Sequence, residues 1–291
     1  MKRFFKAVGW ALLYIAVYFG VSIAIGFMIT IAVVIARAIG DPGIFNNKEL
    51  FSNTVTDDIK ELTNLILILT SLASFLVFWL IYKGRKKSIF KVCSMRKISL
   101  KGIGLIFLLG LSFNILVTCL LSYITQLPAL EKAVKSFEDI EKSITSGNII
   151  FTVIAVVLIA PIFEEIFFRG ILFNEIKNGM PLAIAFIVQA VTFGLFHGNW
   201  IQGTYAFALA LLLCLVYIWY RSIWANIAFH FAFNLTAMIT DKIPDRFSEG
   251  LWGISITIAS GLIAALLVYL VYKARSKPDE NENCEIESAT A

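Results

Sequence analysis

From Ala7 to Ala36 the chain carries no charged side chain, and uncharged apolar runs of similar character return along most of its length. Backbone in hydrocarbon must satisfy every N–H and C=O internally, so a run of about 20 apolar residues reads as a membrane-crossing helix. Eight spans are predicted, at about 7–36, 62–82, 102–126, 149–173, 180–200, 202–220, 222–240 and 251–272. The chain is 59% apolar and 15% charged, whereas soluble domains average roughly 45–50% and about 25%. A water-soluble globular fold, a disordered chain and a collagen-like repeat are thereby excluded. Cys93, Cys119, Cys214 and Cys284 show neither pairing nor metal-ligand spacing, which excludes a disulfide scaffold. The expected fold is an all-α polytopic helical bundle. Lys2, Arg3 and Lys6 precede the first run, but that run is about twice a signal-peptide core and ends in no cleavage site. It is expected to stay as a tilted span.

The net charge of +5 is concentrated rather than spread. The connection from Lys83 to Lys101 is basic throughout, and the tail opens with Lys273, Arg275 and Lys277. The stretch 41–61 has five acids against two lysines, and 127–148 is also net acidic. Lys and Arg collect in short cytoplasmic loops. With eight spans the three basic regions share one side, so both termini are expected in the cytoplasm, and no nucleic-acid partner is expected. Contact of the basic loop with anionic lipid head groups is the sharper reading of the same charges; a topology determinant is the plainer one. The acidic tail PDENENCEIESATA is expected to be disordered, and Cys284 lies too far from the end for a prenylation box. No internal repeat divides the chain. Residues 1–148 read as scaffold spans, 149–240 as the chemical core, and 241–291 as a last span and tail.

The core contains side chains that are expensive in a membrane. An ionisable group at mid-bilayer costs roughly 2.5–3.5 kcal/mol even on lenient insertion scales, and so marks function by default. Glu164, Glu165 and Arg169 lie in the string PIFEEIFFRG within the fourth run. Glu165 and Arg169, four apart, share a helix face and neutralise each other; Glu164 points about 100° away and is the expected working carboxylate. The plainer alternative is one buried salt-bridge knot of all three. The two histidines, His197 and His230, both fall in later apolar runs, with Phe193 one turn before His197 and Asn234 one turn after His230. A single buried histidine is usually a satisfied core residue; two, with an unpaired glutamate and an in-register asparagine, point to a site. Asn234-Leu235-Thr236 matches a glycosylation sequon but lies inside a span.

Depth is consistent with convergence. At 1.5 Å per residue, Glu164 and His197 lie about 20 and 26 Å from the turn at 177–180. His230 and Asn234 lie about 14 and 20 Å beyond Arg221 by the same rise. A carboxylate is a natural general base for water, and imidazole and amide N–H groups are natural oxyanion donors. Water held by Glu164 and His230, attacking a carbonyl polarised by His197 and Asn234, would hydrolyse a peptide bond without a covalent intermediate. Alternatively Glu164, His197 and His230 would ligate Zn²⁺ with an open water position, although the H-E-x-x-H arrangement is absent. No Ser or Cys has an evident base partner.

Three motifs stand in order: Glu164-Glu165-Ile166-Phe167-Phe168-Arg169, Phe193-Gly194-Leu195-Phe196-His197 and His230-Phe231-Ala232-Phe233-Asn234. They resemble the E-E-x-x-x-R, F-x-x-x-H and H-x-x-x-N motifs of the CPBP intramembrane proteases. That family includes type II CAAX prenyl endopeptidases and bacteriocin-processing and self-immunity proteins. The resemblance implies Glu164 as the water-activating residue with His230 sharing that water, and His197 and Asn234 as the oxyanion pair. It implies Glu165 and Arg169 as supporting residues, with Phe193 in the second motif. It also implies an endopeptidase acting on a membrane-associated peptide or protein, by a glutamate or a metal mechanism. Neither histidine shares a helix turn with a second ligand, which favours the metal-free form. The Ile-, Phe- and Lys-rich composition points to a bacterial plasma membrane. Bacteria generally do not prenylate their proteins, so a signal-peptide remnant, peptide pheromone or bacteriocin leader is the expected substrate. Competing readings are a non-catalytic immunity or scaffold protein of the same fold and a proton-coupled transporter, for which repeated halves would be expected.

Overall fold

A computed structural model describes residues 1–240 and 250–275. The polar tail and Cys284 lie outside the described residues. All regular structure among the described residues is helical; besides short turns at Pro42–Asn46, Ile89–Val92 and Pro128–Leu130, the helices are α1 (Lys2–Gly40), α2 (Lys48–Glu61), α3 (Thr63–Gly84), α4 (Leu100–Ile124), α5 (Glu131–Thr145), α6 (Ile149–Lys177), α7 (Leu182–Phe196), α8 (Trp200–Tyr220), α9 (Ile223–Thr240) and α10 (Gly250–Lys273). Short polar side chains start several of them by taking an otherwise unpaired backbone N–H. Asn47 accepts from Glu49 and Leu50 at 3.1 Å, Ser99 from Gly102 at 3.1 Å, Asn148 from Ile150 at 2.8 Å and Asn199 from Gln202 at 2.7 Å.

Among the described residues seven helices are long and apolar enough to cross a membrane: α1, α3, α4, α6, α8, α9 and α10. Their outer faces are apolar and exposed; Ile23 on α1, for example, is 71% exposed. The expected span 180–200 is corrected. Helix α7 has only 15 residues, about 22 Å of rise, against a hydrocarbon core of about 30 Å. Pro181 precedes its first turn, and Gly198, with φ of 71°, turns the chain just past His197. Helices α2 and α5, unassigned in the sequence reading, are amphipathic segments beside the spans. Asn64 of α3 ties α5 to α6 by donating to the Ile144 carbonyl at 2.8 Å and to Thr152 at 2.9 Å.

Short as it is, α7 reverses the chain, so the basic segments meet at one end of the bundle. There Arg85 pairs with Glu175 at the foot of α6. Ser222 donates to the Arg96 carbonyl at 2.6 Å, and Tyr220 to the Val271 carbonyl of α10 at 3.0 Å. A Cβ on Gly179 would lie 2.7 Å from the Arg3 carbonyl oxygen. Close approach of α4 to α9 depends on Gly110, where a Cβ would lie 2.8 Å from that of Ala232. Small residues at such contacts let membrane helices approach backbone to backbone.

Candidate active site

Helix α6 is not uniform. Val153–Ile159 and Ile166–Phe173 are π-helical, and the α-helical turns between them, Ala160–Glu165, hold both glutamates. In the first π-segment the Ala160 N–H reaches the Ala155 carbonyl, one residue beyond the α-helical partner. Continued by one residue, that register would pair the Val156 carbonyl with position 161, which is proline and has no N–H. Asn234 supplies the missing donor: its Nδ2 bonds to the Val156 oxygen at 2.8 Å. One motif asparagine thus locks α9 to the turn just before the glutamates. π-Bulges of this kind are frequent at functional sites.

The two glutamates have different surroundings. Glu165 and Arg169 are fully buried, and Arg169 Nη1 donates to Glu165 Oε1 at 2.8 Å. The structure adds partners beyond that pair. His230 Nδ1 lies 2.8 Å from Glu165 Oε1, and Asn226 Nδ2 donates to Glu165 Oε2 at 3.1 Å and to the Leu213 carbonyl at 2.8 Å. Arg169 also reaches the Ala210 carbonyl at 3.3 Å, which Gln189 shares at 3.2 Å. Its guanidinium lies over the Phe193 ring at 4.6 Å. The buried ion pair is therefore surrounded by polar partners from α7, α8 and α9, and those bonds offset part of its desolvation cost.

Glu164 keeps 24% of its side chain exposed, and its Oε2 stands 3.8 Å from His230 Nε2. The Phe193 ring lies 5.0 Å from the His197 ring and 6.0 Å from the His230 ring, a partition between the two imidazoles. Glu164 and His230 are both within electrostatic reach of His197. Tyr18 of α1 and Tyr205 of α8 lie within electrostatic range of Glu164. Sequence reading missed Asn226 and Gln189; Asn226 precedes His230 by four residues, a spacing that could have marked it. Glu164 and His230 thus come within 3.8 Å of each other, and the Phe193 ring neighbours both imidazoles.

Hydrogen-bond logic sets the imidazoles. His197 Nδ1 lies 2.8 Å from the Phe193 carbonyl oxygen, and a carbonyl only accepts, so that nitrogen carries the proton. The same argument against the Glu165 carboxylate puts the proton of His230 on Nδ1. In its neutral form each ring presents a lone pair at Nε2. With His230 neutral, its Nε2 and Glu164 Oε2 are two acceptors facing each other across a gap longer than a hydrogen bond.

Residues 146–236 match the family model for type II CAAX prenyl endopeptidase Rce1-like proteins. The match covers about a third of the chain and supports its resemblance to the CPBP family. At family level the match supports an intramembrane CAAX-type protease. All three motifs of the CPBP stretch lie within the match. No curated protein and no solved structure matches the chain.

Proposed function

We propose that the protein is an intramembrane endopeptidase that hydrolyses a peptide bond of a membrane-associated peptide or protein with a glutamate-activated water. The reading rests on the opposed acceptors Glu164 Oε2 and His230 Nε2, 3.8 Å apart. A water donating one hydrogen to each satisfies both and presents its lone pairs outward. As it attacks the scissile carbonyl carbon, Glu164 takes its proton. The developing oxyanion is met by the second N–H of Asn234, whose first is held by Val156, and by the Nε2–H of a His197 that enters the step as an imidazolium. The tetrahedral intermediate collapses, the C–N bond breaks, and the proton held by Glu164 passes to the leaving amine. Glu165, with Arg169 and Asn226, fixes the His230 ring and keeps its Nδ1 protonated.

Among the described residues, no three His, Cys, Asp or Glu side chains stand together as a metal set. The proposed reaction is the metal-free one, and no step is routed through a metal. The basic end of the bundle faces the cytoplasm by the distribution of Lys and Arg. The membrane is a bacterial plasma membrane, the partners are lipids and the substrate, and nucleic acid is not among them. Expected substrates are a signal-peptide remnant, a pheromone precursor or a bacteriocin leader.

The test compares peptides released by cells and by purified protein carrying wild-type or Glu164→Gln sequence. Glu164→Gln should abolish cleavage while the detergent-solubilised protein melts as wild type does. Wild-type activity should survive chelation with less than one equivalent of bound zinc. Full turnover by Glu164→Gln removes this residue from the reaction.

A further inference from the structure

A cavity of about 550 Å³ opens at the basic end of the bundle, about ten residues along α6 from the glutamates. Three segments wall it: the first turns of α1, the connection after α3 and the foot of α6. Arg3, Lys6, Arg85 and Lys87 line it, against one acid, Glu175. That acid is already neutralised, because Arg85 forms its ion pair with it and Tyr82 donates to it at 3.1 Å. Arg85 is held in turn by Tyr14 at 2.9 Å and lies flat over Trp10, 3.8 Å from the ring. Arg3, Lys6 and Lys87 are exposed. None of the three has an acidic partner within reach among the described residues, so the cavity presents three uncompensated positive charges on a rigid floor. The Asn178 amide adds a neutral donor.

We propose that this cavity binds the phosphate of an anionic phospholipid head group. A volume of this size lies within the range of small-ligand sites, and convergent Lys and Arg side chains are the chemistry that recognises phosphate. Position selects lipid over a soluble phosphate. The cavity sits where the spans end, beside the exposed rings of Phe4 and Phe5, so acyl chains attached to a bound head group run down the apolar outside of α1. Basic pockets between membrane helices on the cytoplasmic side suit such head groups. Glu175 and Asn178 belong to the end of the helix that carries Glu164, so bound lipid would fasten the foot of that helix to α1 and α3.

Full-length protein in neutral detergent, titrated with phosphatidylglycerol, phosphatidylcholine or inorganic phosphate and followed by native mass spectrometry, tests this. One phosphatidylglycerol should be retained in preference to phosphatidylcholine. The double variant Lys6→Gln, Lys87→Gln should weaken that binding ~tenfold or more, since each surface cation contributes about 1 kcal/mol towards anionic lipid. Lys2→Gln, Lys101→Gln removes the same charge from the same end without touching the cavity and should bind as wild type does. Equal weakening in both double variants, or no preference for phosphatidylglycerol, overturns the site. Inorganic phosphate displacing the lipid at equal concentration overturns the assignment to lipid. Because the readout is binding, a failed peptidase assay leaves this result intact, and the reverse holds too.

Discussion

Adjacent glutamates with different surroundings show how much one residue of helical rotation decides. Glu165 faces inward onto Arg169, Asn226 and His230, and no part of it reaches the surface. Replacing it with Gln leaves Arg169 as an uncompensated buried charge. Breaking one partner of such a pair costs about 3–5 kcal/mol, so Glu165→Gln should lower the thermal midpoint and the yield in detergent. Glu164→Gln, on a partly exposed side chain without a direct ion pair, should change neither. The protonation assignment at His197 carries its own consequence. With Nδ1–H spent on the Phe193 carbonyl, the ring donates from Nε2 only as an imidazolium. Turnover should therefore fall as pH rises through loss of that proton. His197→Gln, whose amide donates at any pH, should retain a reduced rate without that alkaline fall. A pH–rate profile of both proteins checks it.

At the scale of elements, a local defect is turned into a joint. Pro161 denies the π-helical register one N–H, and the asparagine four residues beyond His230 satisfies the freed carbonyl. Helix α9 is held on its opposite side by α4, where Gly110 stands against the Phe229 carbonyl, the residue just before His230. Gly110→Ala must push α4 and α9 apart. Overpacking of this kind costs typically about 1–3 kcal/mol, and it should displace His230 from Glu164. The expected outcome is a lower melting temperature together with reduced cleavage. Gly104→Ala, on the same helix with nothing within 4 Å of its new Cβ, should be silent in both measurements.

For the whole molecule, the short α7 carries the most consequence. A full-length span would deliver its last residue to the far surface. A helix of about 22 Å is shorter than the hydrocarbon thickness of about 30 Å, and its end places His197 beside the Phe193 ring that also neighbours His230. Because α7 still reverses the chain, Lys2 and Arg275 lie at the same end of the bundle and Lys48 at the other. Single cysteines introduced at these three positions, in a Cys284→Ser background, should report it. Lys2→Cys and Arg275→Cys should label from one side of sealed vesicles, and Lys48→Cys from the other. The three internal cysteines are buried. Labelling of Lys2→Cys and Arg275→Cys from opposite sides would contradict the arrangement.

Much of this was legible in the chain. Uncharged runs of membrane length define helices, because hydrocarbon offers the backbone no alternative partner. The four-residue spacing of Glu165 and Arg169 made their pairing readable without any fold. The motif residues stood out because ionisable groups are costly among apolar ones. What local pattern could not disclose depends on contacts between distant segments. The second role of Glu165, as the partner of His230, requires α9 to lie against α6. Asn226 looked like an unremarkable polar residue until the Glu165 carboxylate and the Leu213 carbonyl came within its reach. Even the end of α7 was hidden, since the apolar run continues past Phe196 and only the reversal at Gly198 closes the helix. A linear sequence specifies which groups must find partners; packing determines which partners they find.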